Sequence, residues 1–279
     1  MTYSSASYNY TYSWVCGTTR MLTANGIPDH DSTGGNFANP LSPQTVSATF
    51  TLTPTLASTT TTLYRTAVAY ITNGVKLDPE TAGTCPSTAT TLNGTGCNQA
   101  MGTDTWLLEA KGGSFVFGTD NSNGHTQPNG AYHYHAMPEG HLTKIGKGTD
   151  KTNPTTADIA LVGFALDGFP LYARYGYTTA TDATSTVKVI TGSYQLRTVT
   201  EIEAAVGSTR PTTSVFALGT FTQDYKYVAG SGDLDECNGR YGVTPEFPNG
   251  IYHYYITDTF PYGQRCLKGT YTATGMGGG

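Results

Sequence analysis

Histidine is scarce in this chain, six in 279 residues, yet His125, His133, His135 and His141 share one seventeen-residue stretch, HTQPNGAYHYHAMPEGH. Within Tyr132-His133-Tyr134-His135, an extended backbone sends successive side chains to opposite faces, so both histidines share one face and both tyrosines the other. Residues two apart on a strand have Cα atoms roughly 6.5–7 Å apart. Two imidazoles so placed can converge on one ion about 2.0–2.1 Å from each nitrogen. His125, on the turn entering the strand, is the expected third ligand, and His141 an additional candidate. Imidazole-rich sets suit transition metals rather than calcium or magnesium, so copper or zinc is the expected ion. The competing reading has the histidines hydrogen-bonded to tyrosines and backbone with no ion.

A second stretch echoes the first. Pro248–Tyr255, PNGIYHYY, matches Pro128–His135, PNGAYHYH, at six of eight positions, and each follows an Asp-x-x-Asn-Gly turn, at Asp120 and at Asp235. Two related hairpins facing one another across a shared centre are expected. His253 then stands where His133 does, but Tyr255 replaces the second imidazole, which points to a catalytic, substrate-facing role for His253. A carboxylate can orient a histidine general base, and Asp167 and Glu139 are the candidates; Asp167, next to Gly168, is equally a turn residue. Nucleophilic catalysis has little support, since no G-x-S-x-G elbow occurs. The loop GDLDECNGRYG places Asp233 and Asp235 close together, a candidate calcium site or a solvated acidic turn paired with Arg240.

The elements that must position these residues read as strands. Charged residues make up 13% and hydrophobic ones 37%, while 20 Tyr, 34 Gly and 14 Pro punctuate many short runs. β-Branched and aromatic side chains pack well on a pleated surface. The expected fold is all-β, a sandwich or distorted barrel of short antiparallel strands with long loops and little helix. Thr198 or Thr200 caps the one readable helix, TVTEIEAAVGS. No clear linker divides the chain, so residues 1–279 are expected to be one domain. An aromatic strand (Tyr8, Tyr10, Tyr12, Trp14) is expected within about 1–15 and a disordered Gly-rich tail over 275–279. The stretch Thr178–Thr186 reads equally as a linker or a long hairpin loop.

Net charge is −5 and there is no Lys/Arg run, which argues against a nucleic-acid partner. No apolar run approaches the roughly 20 residues of a membrane helix. Cys85–Cys97 and Cys237–Cys266 are the expected disulfides, with Cys16 left over, and an oxidising compartment is expected. MTYSSASYNY lacks the basic start and apolar stretch of a signal peptide. The expectation is a secreted protein, extracellular or periplasmic, in a mature form. Asn9 and Asn93 are formal glycosylation sequons.

NGIPDH (25–30), NGVKLDP (73–79), NGHTQPNGAYHYH (123–135), GFALDGFPLY (163–172), DLDECNGRYGVTPEFPNGIYHYY (233–255) and FPYGQRCLKG (260–269) together resemble the family of secreted bacterial proteins known as the YHYH domain proteins. The resemblance spans roughly 15–270, strengthens the single-domain reading and implies no particular reaction. It also draws Asp29 and His30 into consideration, because a rigid Gly-Ile-Pro bend ends in two potential ligands. Two functions follow. One is a secreted metal-dependent enzyme, a hydrolase or an oxidoreductase, acting on a small molecule or glycan. The other is a non-enzymatic module whose aromatic and Thr-rich faces bind glycan, a cell surface or like subunits.

Overall fold

A computed structural model describes residues 9–91, 97, 102–113, 117–148 and 152–271. The tail 275–279, the Asn93 sequon and the first eight residues of the aromatic segment lie outside the described residues. Short strands in several sheets make up the described fold; no barrel closes, and the arrangement is a sandwich of short strands. Helix is minor, as expected: Val199–Val206 and Glu139–Lys144 are the α-helices among the described residues. Thr198 caps the first, its hydroxyl accepting from Glu201 N–H while the Glu201 carboxylate returns to Thr198 N–H. The second is a six-residue turn with no side-chain cap, which is why the sequence does not announce it. No described helix is long and apolar enough to cross a membrane.

The site is built on an eight-stranded sheet. Its order across is Gly239–Gly242, Ile251–Tyr255, Pro170–Tyr172, Leu161–Ala165, Ala69–Ile71, Lys76–Leu77, Tyr132–Tyr134 and Gly124–Thr126. Most neighbours run antiparallel, but two pairs are parallel: Lys76–Leu77 with Tyr132–Tyr134, and Pro170–Tyr172 with Ile251–Tyr255. Read outward from the middle, each half is a tight hairpin, a parallel YHY strand and an antiparallel edge strand. The halves join where Tyr70 pairs with Phe164, flanked by Ala69 with Ala165 and Ile71 with Gly163. This is the pattern of a pseudo-twofold axis through the sheet.

The duplication extends to single hydrogen bonds. Asn73-Gly74 and Asp167-Gly168 turn the two inner hairpins, with glycine φ of 83° and 89°. The side chains of Asn73 and Asp167 accept from the N–H of Val75 and Phe169 respectively. Asp120 and Asp235 each accept two backbone N–H groups of their own turn, and Asn123 and Asn238 both take left-handed φ, 60° and 61°. Tyr132 donates to Asp120 at 2.7 Å and Tyr252 to Asp235 at 3.0 Å. The echo in the sequence is thus a structural repeat. The two YHY hairpins, however, do not face one another; they form opposite edges of one sheet.

A shared packing rule gives a test of the repeat. A Cβ on Gly124 would stand 2.2 Å from Tyr132 Oη, and one on Gly239 2.2 Å from Tyr252 Oη. Both phenols are pinned by their carboxylates, so neither ring can yield cheaply. Gly124→Ala and Gly239→Ala are each expected to destabilise by about 1–3 kcal/mol, the usual range for overpacking, as read by urea unfolding. An unchanged midpoint for either would mean that the tyrosine is free to move.

Around this sheet, the three strands Tyr12–Cys16, Arg20–Ala24 and Val46–Phe50 pack through Trp14, whose ring lies 5.6 Å from Phe50 and 5.5 Å from Phe164. Tyr10 and Tyr12 stack on one another and stay exposed. Tyr175–Tyr177 pairs with Val187–Val189, so Thr178–Thr186 is the loop of a hairpin rather than a linker. Both expected disulfides are formed, Cys85–Cys97 and Cys237–Cys266, and Cys16 is an exposed free thiol.

Candidate metal centre

Gly124–Thr126 runs antiparallel to Tyr132–Tyr134 with His125 directly opposite His133, so these two share a face as a cross-strand pair. His135, two positions on, joins them by strand alternation. The Nε2 atoms converge: His133 to His135 is 3.0 Å and His135 to His125 is 2.9 Å. Among the described residues these three form the one group of His, Cys, Asp or Glu side chains close enough together to hold an ion. His133 and His135 are buried and His125 is half-buried under the ring of Phe117.

Proton bookkeeping makes this cluster unusual. His125 Nδ1 lies 2.6 Å from the Phe117 carbonyl, to which it must donate, so the neutral ring presents a bare lone pair at Nε2. His135 Nε2 meets two nitrogens, and one proton satisfies only one of the two contacts. The Nδ1 atoms of His133 and His135 have no hydrogen bond of good geometry, although the backbone of Ala131 lies beside the first ring and that of Pro79 and Asp78 beside the second. Burial holds the pKa of His125 below its ordinary value. Burial, and then the mutual proximity of the rings, pushes His133 and His135 well below it. Three neutral imidazoles with converging lone pairs are what a transition-metal ion requires, and a backbone carbonyl on the far nitrogen is the usual way its ligands are oriented. The donor set fits copper or zinc.

The other candidates lie elsewhere. Tyr134, on the opposite face of the strand, meets His30 Nε2 at 2.6 Å and accepts from Asn73 at 2.9 Å. Asn73 also donates to Asp29, which receives His141 Nδ1 at 2.9 Å; His141 Nε2 in turn contacts Thr72 at 2.7 Å. This network borders a cleft of about 1040 Å³ lined by Asp29, His30, Ser122, Glu139, Arg174 and Asp258, among others. Glu139 is committed there to an ion pair with Arg174, which Asp258 also holds at 2.7 Å. That cleft therefore opens on the tyrosine side, away from the triad.

His253 sits at the far edge of the sheet, fully buried, with Nε2 3.1 Å from Tyr255 Oη and Nδ1 2.9 Å from the Ile251 carbonyl; burial lowers its pKa to about 4. Asp167 accepts from Tyr254 at 2.6 Å and from Gly269 N–H at 2.9 Å, which ties the second hairpin turn to the strands Ile251–Tyr255 and Cys266–Gly269. In the acidic loop Asp233 takes Lys188 at 2.6 Å, and Asp235 holds its own turn and Tyr252. Arg240 instead donates to the Tyr177 carbonyl at 2.8 Å.

Two neighbours of the triad escape a reading by motif: Phe117, whose carbonyl sets the His125 tautomer, and Asp78, beside His135. Neither is marked by spacing; only the ladder brings them in. No curated protein and no solved structure gives a significant match to this chain. The model of the family described as YHYH protein matches residues 47–269, a span that holds both hairpins, the triad and all eight strands of the central sheet, and the chain belongs to that family.

Proposed function

We propose that this is a secreted metal-binding protein, extracellular or periplasmic, that holds one copper or zinc ion on the Nε2 atoms of His125, His133 and His135. The observation that carries the reading is the convergence of three neutral imidazole nitrogens, two contacts of 2.9–3.0 Å, with too few protons to satisfy them. Two disulfides are compatible with an extracellular location. Zinc supplies Lewis acidity and copper supplies redox chemistry, so the enzymatic form of the reading is a hydrolase or an oxidoreductase. His125 is the most exposed member of the triad, and a substrate then approaches along the edge strand rather than through the Arg174 cleft.

A second reading, a non-enzymatic module for a glycan or small molecule, is favoured by one observation. The exposed, stacked Tyr10 and Tyr12 stand beside that polar cleft, with Lys144 Nζ 5.9 Å from the Tyr10 ring centre. Calorimetric titration of tag-free, chelator-treated protein with Zn(II) and with Cu(II) separates the two. One ion per chain is expected. The repeat offers no second centre, because Arg240, His253 and Tyr255 occupy the positions of the triad. Zero ions would remove the metal reading and leave the binding module.

A further inference from the structure

We propose that Asp78 is the anionic ligand of this centre, so that its donor set is three imidazoles and one carboxylate. The inference rests on the metal-binding reading above and adds a residue to it.

Placement is the first argument. Lys76–Leu77 runs parallel to the YHY strand, with Lys76 opposite His133 and Leu77 opposite Tyr134. The ladder continues one step, since Asp78 N–H donates to the Tyr134 carbonyl at 2.9 Å. Alternation then puts Asp78 on the histidine face, next to His135.

Chemistry is the second. Asp78 is 5% exposed, and its Oδ1 is buried with no hydrogen-bond partner. A buried carboxylate oxygen without a donor is costly, and Lys76 and Arg265 lie nearby. A dication held by three neutral ligands beside those two cations needs an anion at close range. Asp78 borders the tight nitrogen cluster rather than belonging to it. No hydrogen bond at Oδ1 holds that oxygen away from the ion.

The internal repeat supplies the control. The position equivalent to Asp78 is Tyr172, five residues after Asp167 as Asp78 is five after Asn73. Tyr172 pairs with Tyr255, and its ring lies 5.3 Å from that of His253 and 6.1 Å from that of Tyr255. A side chain at this position therefore does face the triad positions. In that half Arg240 brings a guanidinium, 3.4 Å from Tyr255 Oη. Where the repeat carries Arg240, His253 and Tyr255 this position is a phenol, and where it carries three imidazoles it is a carboxylate.

The test compares wild type with Asp78→Asn, nearly isosteric and neutral, using Zn(II) affinity, the Cu(II) electron paramagnetic resonance spectrum and the melting temperature of the metal-free protein. Asp78→Asn is expected to weaken Zn(II) binding at least about tenfold, the scale of losing a tuning partner or more. It should also change the Cu(II) spectrum and leave metal-free stability equal or higher. Wild-type binding with equal binding and an unchanged spectrum in Asp78→Asn overturns this inference and leaves the triad intact. A loss of affinity matched by a loss of metal-free stability assigns Asp78 a structural role and also overturns it. No binding by the wild type sinks both readings.

Discussion

His135→Ala should reduce Zn(II) or Cu(II) affinity on the order of 100-fold or more, beyond the range seen for outer-sphere partners. The reason is geometric: His135 Nε2 is the atom in contact with both other nitrogens. His125→Ala removes a half-exposed ligand that water can replace, so a smaller loss is expected there. Because His135 is buried, a truncation also opens the core; His135→Gln, which keeps more of the volume, is the companion variant. Circular dichroism of the metal-free proteins establishes that both remain folded, and His253→Gln, at the opposite edge of the sheet, should bind as wild type does. Equal affinity in wild type and His135→Ala would show that the cluster is a packing feature without a metal.

The metal-free protein should also lose stability as pH falls below about 6.5, and His253 allows the effect to be isolated. In the unfolded chain this imidazole takes up a proton near pH 6.5, whereas in the folded protein burial delays uptake to about pH 4. Between those values the unfolded state binds more protons, so stability rises with pH across the window and falls as the solution is acidified. The contribution is fully present above pH 6.5. One group contributes about 1.4 kcal/mol per pH unit, hence about 3 kcal/mol by pH 4. The triad adds to the same slope, since all three of its members are shifted downward. Asp78, raised to about 6, opposes it, because its folded form protonates first. Comparing wild type with His253→Gln cancels these shared terms. Denaturant unfolding at a series of pH values should give a slope shallower by about one proton in the variant. Identical slopes would mean that His253 titrates in the folded protein as it does in the unfolded chain. For the triad, the same downward shifts imply that metal affinity persists below pH 6.5, because the ligands stay neutral there.

The local features were legible without coordinates. Alternation along a strand is a property of neighbouring residues, so Tyr132-His133-Tyr134-His135 already separates imidazoles from phenols, and the structure keeps them separate. Thr198 with Glu201 announces its helix by a contact three residues long. The Asp-x-x-Asn-Gly turns announce themselves through the left-handed backbone at Asn123 and Asn238. Each of these is settled by sterics within a few bonds.

What the tertiary structure decided is what depends on register and strand order. That His125 lies opposite His133 follows from how the hairpin pairs, not from the seven residues between them. That Asp78 reaches the site follows from a parallel ladder joining segments more than fifty residues apart, for which no short-range pattern exists. The two YHY strands look interchangeable as text, yet each lies one strand in from an opposite edge of one sheet, because each must pair with its own inner hairpin before the halves meet at Tyr70 and Phe164. His30 and His141 are as close in sequence to chemistry as the triad is, but they fall on the tyrosine side, where Asp29, Thr72 and Tyr134 meet their nitrogens. Residue types and alternation specify which side chains can share a face; only pairing across the sheet determines which faces coincide.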